Sequence, residues 1–319
     1  MNTVSPYAPR RHCTSHFEPI RGLRCHVRQW GDASLVRPDR PPLVLTHGWM
    51  DMGASFQFVV DALAQADGFE RWVLAPDWRG FGLSAAPVAD SYWFPDYLGD
   101  LDAVLDRLWP EGALDLVGHS MGGNLVMVYA GLRPQRIRRL VNLEGFGMPV
   151  TKPSLASGRY AKWMDELKKL HAGEMDLKAY DDVQGVARRL MKTNARLDQH
   201  KAEWLAQHWA RVNGQGKWEI LGSAAHKISN AQLYRVDEVL EVYQRITAPT
   251  LAVEASDNSL DRWFDGKFTL EQYHERLKKV ANVRIERIED AGHMMHHDQP
   301  EHLARLIEAF LTPGSENGC

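Results

Sequence analysis

Short apolar runs recur along the first half of the chain and are separated by longer stretches with helical periodicity. The runs are rich in aliphatic residues and are bounded by polar or turn-forming residues, a pattern typical of strands buried in a sheet. They lie at residues 16–20, 23–31, 42–48, 72–77, 114–117 and 137–145, and the helices predicted between them lie at residues 55–66, 97–108 and 124–132. Strands that alternate with helices predict a mostly parallel sheet covered by helices on both faces. The first two runs are placed to pair as an antiparallel hairpin.

The alternation stops at Met148. Residues 149–246 are helical in pattern and charged, with no strand-like run and with four tryptophans. The alternation then returns with a strand at 248–256, a helix at 269–280, a strand at 283–289 and a helix at 300–311. We therefore predict a doubly wound α/β core in two parts, residues 15–147 and 247–312, with a helical insertion at 148–246. Such an insertion is expected to cap the carboxyl ends of the strands, where ligands bind in open α/β sheets.

One predicted strand and one predicted helix are joined by the glycine-rich segment "GHSMGG", residues 118–123. Because the two elements follow each other so closely, the chain between them must turn sharply, and small residues prevent clashes there. The serine at the tip, Ser120, is expected to adopt an uncommon backbone conformation with its hydroxyl exposed, as in the nucleophile elbow G-x-S-x-G. The pattern predicts that Ser120 is a catalytic nucleophile.

A serine hydroxyl needs a neighbouring base to remove its proton, and histidine suits this role because its pKa lies near neutral pH. His293 in "AGH" directly follows the last predicted strand, which places it over the carboxyl edge of the sheet. We predict that His293 is the base. His296, His297 and His302 are nearby alternatives, for which we expect roles in a polar loop and a helix cap, and we expect no metal site.

A serine nucleophile that attacks a carbonyl also needs donors for the oxyanion that forms. The backbone N–H of Met121, the residue after the serine, is one predicted donor. The second is the backbone N–H of Trp49 in "THGWM", which follows an early strand. We expect His47, Gly48 and His119, which flank these positions, to contact the substrate.

These motifs together resemble the α/β-hydrolase-fold superfamily, and within it the capped esterases, epoxide hydrolases and haloalkane dehalogenases. The residues that carry the resemblance are His47-Gly48-Trp49, Asp77-Trp78-Arg79-Gly80-Phe81-Gly82-Leu83-Ser84, Gly118-His119-Ser120-Met121-Gly122-Gly123 and Ala291-Gly292-His293. The resemblance implies an α/β-hydrolase fold with a helical cap, in which the segment from Asp77 to Ser84 is a structural turn. Epoxide hydrolases and dehalogenases of this group use an aspartate to displace at an sp³ carbon, whereas Ser120 suits attack on a carbonyl.

The resemblance also implies an acid between the serine and the histidine in the chain. In the commonest family pattern the acid follows the strand after the cap, where "PTLAVEASDNSLD" offers Asp257, although this segment lacks the usual glycine and is one residue short. In some relatives it follows the strand after the elbow helix, where "RLVNLEGFGMP" offers Glu144. Both candidates stay open, with a slight preference for Glu144 because an acid at a strand end has few structural explanations. We interpret Asp290 and Asp298 as solvated charges.

Composition limits the possible partners. The chain has 319 residues, 44% hydrophobic and 25% charged, with a net charge of −3, which is ordinary for a globular protein and gives no reason to expect nucleic acid. No apolar run is long enough to span a bilayer, and the first residues lack the apolar region of a secretory signal. Three cysteines without metal-ligand spacing suit a reducing cytoplasm. We expect a cytoplasmic protein with no cofactor and no metal.

The sequence thus predicts a serine hydrolase that cleaves carboxylic esters or related acyl compounds through an acyl-enzyme. Trp163, Trp204, Trp209 and Trp218 in the insertion, together with Trp49, predict an apolar cleft for small to medium apolar substrates. One alternative is other chemistry on the same residues, namely perhydrolysis, hydroxynitrile cleavage or carbon–carbon bond hydrolysis. Another is a ligand receptor that kept the fold and lost turnover.

Overall fold

The computed structural model describes residues 6–63 and 70–312, except for the side chain of Asp261. The strands are β1 (Thr14–Ile20), β2 (Leu23–Trp30), β3 (Leu43–Thr46), β4 (Val73–Pro76), β5 (Leu114–His119), β6 (Ile137–Leu143), β7 (Ala179–Tyr180), β8 (Ala210–Val212), β9 (Trp218–Ile220), β10 (Thr250–Ala255) and β11 (Val283–Ile288). The predicted helix at 55–66 is described only as far as Leu63, and Cys319 lies outside the described residues.

The α-helices begin and end close to the predicted positions in the core. They are α1 (Gln57–Leu63), α2 (Phe94–Leu108), α3 (Met121–Leu132), α4 (Ala156–His171), α5 (Val183–Thr193), α6 (Gln199–Trp209), α7 (Val236–Tyr243), α8 (Leu260–Phe264), α9 (Leu270–Leu277), α10 (Met295–Asp298) and α11 (Pro300–Leu311). Short 3₁₀ turns occur at Ala33–Leu35, Gly53–Phe56, Pro134–Arg136, Pro153–Leu155 and Ala224–Lys227. Within the described ranges, no helix combines the length and the apolar character that crossing a bilayer requires.

Eight strands form one twisted sheet in the order β1-β2-β4-β3-β5-β6-β10-β11. The leading hairpin β1–β2 is antiparallel, and β2 also runs antiparallel to β4. The other strands of this sheet are parallel to one another, in the order β4-β3-β5-β6-β10-β11. The predicted mostly parallel α/β sheet is therefore confirmed, as is the antiparallel pairing of the first two strands.

Helices cover both faces of this sheet. Successive side chains of a buried strand point to opposite faces, so each strand packs against both layers of helices. On one face Leu45 of β3 belongs to a buried cluster with Val59 of α1 and Leu303 of α11. On the other face Val44 belongs to a cluster with Leu125 of α3. Burial of each such aliphatic side chain stabilises the fold by about 1.5–3 kcal/mol. The sheet is thus packed between two apolar layers.

The carboxyl ends of the parallel strands meet at one edge of the sheet. Trp49, Ser120 and Glu144 lie within three residues after the ends of β3, β5 and β6. Asp257 follows β10, and His293 follows β11. The topology therefore brings every candidate for the catalytic acid and base to the same edge as the candidate nucleophile.

Residues 148–246 leave the sheet after β6 and return at β10, which pairs with β6. The expectation that this segment contains no strand is wrong, because β7, β9 and β8 form a small antiparallel sheet. Each strand has only two or three residues and is partly exposed, so none produces an apolar run in the sequence. The tight turn between β8 and β9 is held by Asn213, whose side-chain oxygen accepts hydrogen bonds from the N–H groups of Gln215 and Lys217.

Aromatic contacts join residues 148–246 to the core. Trp204 of α6 packs against Phe58 of α1 with ring centroids 5.8 Å apart. Tyr7, which precedes β1, contacts both of these rings, with its centroid 4.8 Å from that of Phe58 and 5.4 Å from that of Trp204. The N-terminal segment therefore joins α6 to α1.

Candidate active site

The segment around Ser120 has the geometry of a strained turn. Ser120 has φ 54° and ψ −115°, a conformation that costs roughly 1–3 kcal/mol for a residue with a side chain. Its N–H donates to the carbonyl oxygen of Leu143 over 2.8 Å. A Cβ at Gly118 would collide with the carbonyl oxygen of Gly122, and one at Gly122 would collide with that of Thr46. The uncommon conformation predicted for Ser120 is confirmed, and the glycines are needed because strand and helix approach so closely.

Glu144 is bound to His293. Its Oε2 lies 2.7 Å from Nδ1 of the imidazole and accepts a second hydrogen bond from the Ser259 hydroxyl over 3.2 Å. Its Oε1 accepts from the backbone N–H of Ala255 over 3.1 Å, and its own N–H donates to Val253 over 3.1 Å. The carboxylate is thus fully buried and has hydrogen bonds at both oxygens.

This contact sets the tautomer of His293. A carboxylate only accepts hydrogen bonds, so Nδ1 must carry the proton that faces Glu144. Nε2 is then left with a free lone pair when the ring is neutral. Ser120 and His293 line the same cleft, and the arrangement is chemically suited to moving a proton between a hydroxyl and an imidazole.

Asp257, the alternative acid, lies elsewhere. Its side chain is 69% exposed, and its Oδ2 accepts a hydrogen bond from the guanidinium of Arg196 over 3.1 Å. Its backbone N–H donates to Ala291 in the loop that precedes the histidine. Among the described contacts, none joins the carboxylate of Asp257 to His293.

The loop of His293 is held at two main-chain positions. The carbonyl oxygen of His293 accepts a hydrogen bond from Nε2 of His119 over 2.7 Å. The N–H of Gly292 donates to Oδ2 of Asp298 over 2.9 Å, and Oδ1 of Asp298 accepts from Asn194 over 2.7 Å. The interpretation of Asp298 as a solvated charge is therefore wrong, because its carboxylate orders this loop.

The other acid near the loop, Asp290, is a solvated charge, as we interpret it from the sequence. Its side chain is 86% exposed, and its nearest cationic partner is Arg196 at 3.9 Å. An exposed pair at this distance contributes little to stability.

The two predicted oxyanion donors both line the cleft. Met121 is the first residue of α3, where the free N–H groups and the helix dipole favour negative charge. Within residues 6–63 and 70–312, neither its N–H nor that of Trp49 donates to another protein group. The indole of Trp49 is 52% exposed, and its Nε1 donates to the carbonyl oxygen of His226 over 3.2 Å. Both N–H groups are therefore available to a ligand.

His47, for which we expected substrate contact, is buried away from the cleft. Its Nδ1 donates to the carbonyl oxygen of Gly48 over 2.8 Å, and its Nε2 accepts from the N–H of Trp78 over 3.0 Å. Burial lowers the pKa of His47, which keeps the ring neutral as these two bonds require. Since both nitrogens are occupied, His47 supports the loop of Trp49, and its ring does not face a substrate.

Gly48 and His119 line the cleft, and their contact with a substrate stays a prediction. A Cβ at Gly48 would lie 3.1 Å from both Nδ1 of His119 and Cβ of Ser120, so glycine keeps the loop close to the elbow. Burial lowers the pKa of His119 well below its usual value, and the neighbouring His296 and His293 lower it further.

Two residues of the site had no motif to reveal them. Ser259 is buried and lies 3.3 Å from Nδ1 of His293 as well as against Glu144. Trp263 packs the edge of its ring against His293, with centroids 4.2 Å apart. Both lie in the segment after β10, where the sequence indicates only the carboxylate of Asp257 as a candidate.

The cleft above Ser120 has a volume of about 2720 Å³ and is lined by core loops and by residues of the insertion, the first of them Met148 and the last Tyr243. Ligand pockets usually have volumes of about 300–1,000 Å³, so this cleft is large. Of the four tryptophans in the insertion, Trp209 lines it, whereas Trp163, Trp204 and Trp218 are not among its lining residues. Trp204 instead packs against α1.

Comparisons with known proteins show the fold family of this chain. The family model of the alpha/beta hydrolase fold matches residues 41–300. The chain is 26% identical to a serine hydrolase-like protein of Danio rerio, covering 96% of this chain and 90% of that protein. It is 27% identical to the sn-1-specific diacylglycerol lipase ABHD11 of Danio rerio, covering 86% and 80%. Among solved structures, a thioesterase domain from the curacin biosynthetic pathway superposes with a TM-score of 0.77 at 24% identity, covering 93% of this chain and 99% of that domain.

Proposed function

Because this chain belongs to the alpha/beta hydrolase fold family, we propose that it is a serine hydrolase that cleaves carboxylic esters through an acyl-enzyme. The observation that carries the proposal is the 2.7 Å hydrogen bond between Glu144 and His293, in the cleft that is also lined by a serine held with φ 54° at the strand–helix turn. An acid, an imidazole and a strained serine are the groups that acyl transfer needs.

In this mechanism Ser120 attacks the ester carbonyl while Nε2 of His293 accepts its proton. The N–H groups of Met121 and Trp49 bind the oxyanion of the tetrahedral intermediate. Glu144 stabilises the imidazolium, which then protonates the leaving alcohol. A water molecule, deprotonated by the same histidine, attacks the acyl-enzyme and releases the acid, and the serine regains its proton.

The substrate class follows from the lining of the cleft. Apolar side chains such as Phe146, Val150 and Leu240 line the same cleft as Ser120, which favours an apolar acyl or alcohol group. We propose that residues 148–246 act as the cap that selects this group. The sequence favours small to medium esters, while the volume of the cleft and the similarity to a diacylglycerol lipase support inclusion of longer acyl chains. The free thiols of Cys13 and Cys25 support the proposed reducing, cytoplasmic setting.

Labelling by a fluorophosphonate tests the nucleophile directly. The wild-type chain should take up one label per chain, mapped by mass spectrometry to the peptide that contains Ser120. Ser120→Ala should take up none, while the control Ser34→Ala, which removes an exposed serine outside the cleft, should label like the wild type. Absence of labelling in the wild type would favour the ligand-receptor alternative.

Product analysis then separates ester hydrolysis from other chemistry on the same residues. The wild type should release an acid and an alcohol from esters in stoichiometric amounts. Labelled protein that turns over no ester, but cleaves a carbon–carbon bond or forms a peracid, would place the chain in one of the alternative classes.

A further inference from the structure

A second cluster of chemically active side chains lies beneath the active-site loops. Asp51, His119 and His296 are 3%, 1% and 0% exposed and come from three separate segments of the chain. One donor atom from each residue lies within 4.8 Å of the others. Nε2 of His296 is 3.6 Å from Oδ2 of Asp51.

These three side chains share four buried atoms that lack hydrogen-bond partners among the described residues. The atoms are both carboxylate oxygens of Asp51, Nδ1 of His119 and Nδ1 of His296. Buried polar atoms in folded proteins nearly always have a partner, and a buried carboxylate without one is especially unfavourable. The two Asp51 oxygens and Nδ1 of His119 are lone-pair acceptors that a bound cation would satisfy. For His296 the nitrogen that faces Asp51 is Nε2, so Nε2 would be its ligand atom.

We propose that Asp51, His119 and His296 bind one divalent transition-metal ion of the zinc class. Two imidazoles and one carboxylate are a donor set that suits Zn²⁺, Co²⁺ and Ni²⁺, whereas Mg²⁺ and Ca²⁺ prefer oxygen ligands throughout. The proposal contradicts our sequence-based expectation of no metal and does not depend on the proposed esterase activity.

The hydrogen bonding of His119 supports its role as a ligand. Its Nε2 carries the proton donated to the carbonyl oxygen of His293 over 2.7 Å, so Nδ1 is the nitrogen with a free lone pair. Histidine ligands characteristically donate their other N–H to a carbonyl or carboxylate in this way, which fixes the tautomer.

The separations are compatible with a metal ion after a small side-chain adjustment. Metal–ligand bonds of about 2.0–2.2 Å in a tetrahedral site place the ligand atoms roughly 3.4 Å apart. The 3.6 Å between His296 and Asp51 is close to this value. The widest pair, at up to 4.8 Å, needs to approach by roughly 1.4 Å to reach the spacing of a tetrahedral site.

The surroundings provide access and further contacts. Asp51 and His119 line the active-site cleft, so an ion enters from there. The Ser55 hydroxyl lies 3.2 Å from the same Nε2 of His296 and 2.6 Å from Nε2 of His297; with its proton donated to His297, it leaves the Nε2 lone pair of His296 to the ion. Three protein ligands leave a fourth position for water. A bound ion would join the turn after Gly48 to the residue before Ser120.

Metal binding by the whole chain tests the proposal. After removal of metals with a chelator, Zn²⁺ alone is titrated by calorimetry, and Co²⁺ alone is followed by its visible absorption. We expect one equivalent per chain in the wild type, and a loss of affinity of at least tenfold in Asp51→Asn and in His296→Gln. The control His171→Gln removes an exposed histidine paired with Asp90 at 3.0 Å and should bind like the wild type.

Thermal unfolding of each variant verifies that it is folded before binding is compared. If the cluster variants do not fold, the wild type is loaded with one equivalent of Cu²⁺ and its ligands are identified by pulsed EPR. We expect two imidazoles to coordinate the ion. No stoichiometric binding in the wild type, wild-type affinity in both folded cluster variants, or fewer than two coordinated imidazoles would overturn the proposal. Loss of binding in His171→Gln would assign the metal to the surface and overturn it as well.

Discussion

Glu144 and His293 are 149 positions apart in the chain, yet the glutamate carboxylate lies 2.7 Å from Nδ1 of the imidazole. The contact exists because β6 and β11 both end at the same edge of the sheet, on either side of β10. The backbone of Glu144, with φ 51°, turns its side chain beneath the histidine loop. The roles proposed for these residues lead to the following predictions.

Ser120→Ala and His293→Ala should each lower kcat for a hydrolysed ester by roughly 10³–10⁶-fold, because nucleophile and base act as one unit. Both variants should unfold at temperatures close to that of the wild type. The matched control is His302→Ala, a neighbouring histidine outside the cleft, which should keep wild-type kcat. Near-normal turnover in either active-site variant would refute the mechanism.

Glu144→Gln should lower kcat by up to about 10⁴-fold, because an amide neither stabilises the imidazolium nor fixes the tautomer. Asp257→Asn should change kcat by less than about threefold, since that carboxylate pairs with Arg196 at the surface. Steady-state kinetics of the two matched amide variants decides between the acids. The reverse ranking would transfer the role to Asp257.

Ser259→Ala removes the second hydrogen bond to Oε2 of Glu144. Since a hydrogen bond to a charged group contributes about 1.5–3 kcal/mol, we expect kcat to fall by roughly tenfold with KM nearly unchanged. The control is Ser256→Ala, whose hydroxyl contacts only the main chain of Ala291 at 3.4 Å. An effect confined to KM would indicate that Ser259 acts on the substrate pocket instead.

His226 should make the protein less stable in weak acid. Its ring is stacked between Phe81 and Tyr92, its Nδ1 accepts from Tyr97, and its Nε2 donates to Gly80. Burial lowers its pKa to about 3, whereas the unfolded chain takes up this proton near pH 6.5. Because the unfolded state binds the proton first, the free energy of unfolding should fall as pH drops from about 6.5 towards about 3.

Denaturant unfolding of the wild type and of His226→Gln at pH 7 and pH 5 measures this contribution. The variant should be less stable at pH 7, but its loss on acidification should be smaller than that of the wild type by roughly 1–2 kcal/mol. Equal losses in both proteins would mean that other groups, such as the half-buried His208 with a pKa of about 4, dominate the acid response.

A series of 4-nitrophenyl esters of rising acyl length should show kcat/KM increasing with apolar size, because binding removes apolar surface from water. The size of the cleft predicts that the decline comes only beyond medium chain lengths. Charged acyl groups of matched length serve as the comparison and should react more slowly. A flat series, or a preference for charged acyl groups, would contradict an apolar pocket.

The parts of the fold and site that the sequence predicts are those encoded locally. The terminal helix Pro300–Leu311 has the predicted bounds because proline and a regular apolar stripe mark it. The turn at Ser120 is predictable because three glycines and two flanking elements define it within one segment. Glu144 was favoured over Asp257 on its strand-end position, and the geometry brings Glu144 to the histidine.

The remaining features depend on contacts between distant segments. Nothing near Asp298 in the sequence indicates that it accepts a hydrogen bond from Gly292, and nothing near His47 indicates that its ring faces Trp78. The cluster of Asp51 with His296 forms only when the loop after β3 packs on the helix after the last strand. The strands β7, β8 and β9 are too short to create a pattern.

The position of Tyr7 has a practical consequence for anyone who handles this protein. Its ring lies against both Phe58 of the core and Trp204 of the insertion, and its hydroxyl donates to Asp61 of α1, so the segment before β1 connects α6 to α1. A truncation that removes Tyr7 would abolish these contacts and weaken the packing of α6 on α1, while leaving Ser120 unchanged. Recombinant protein intended for kinetics should therefore retain Tyr7.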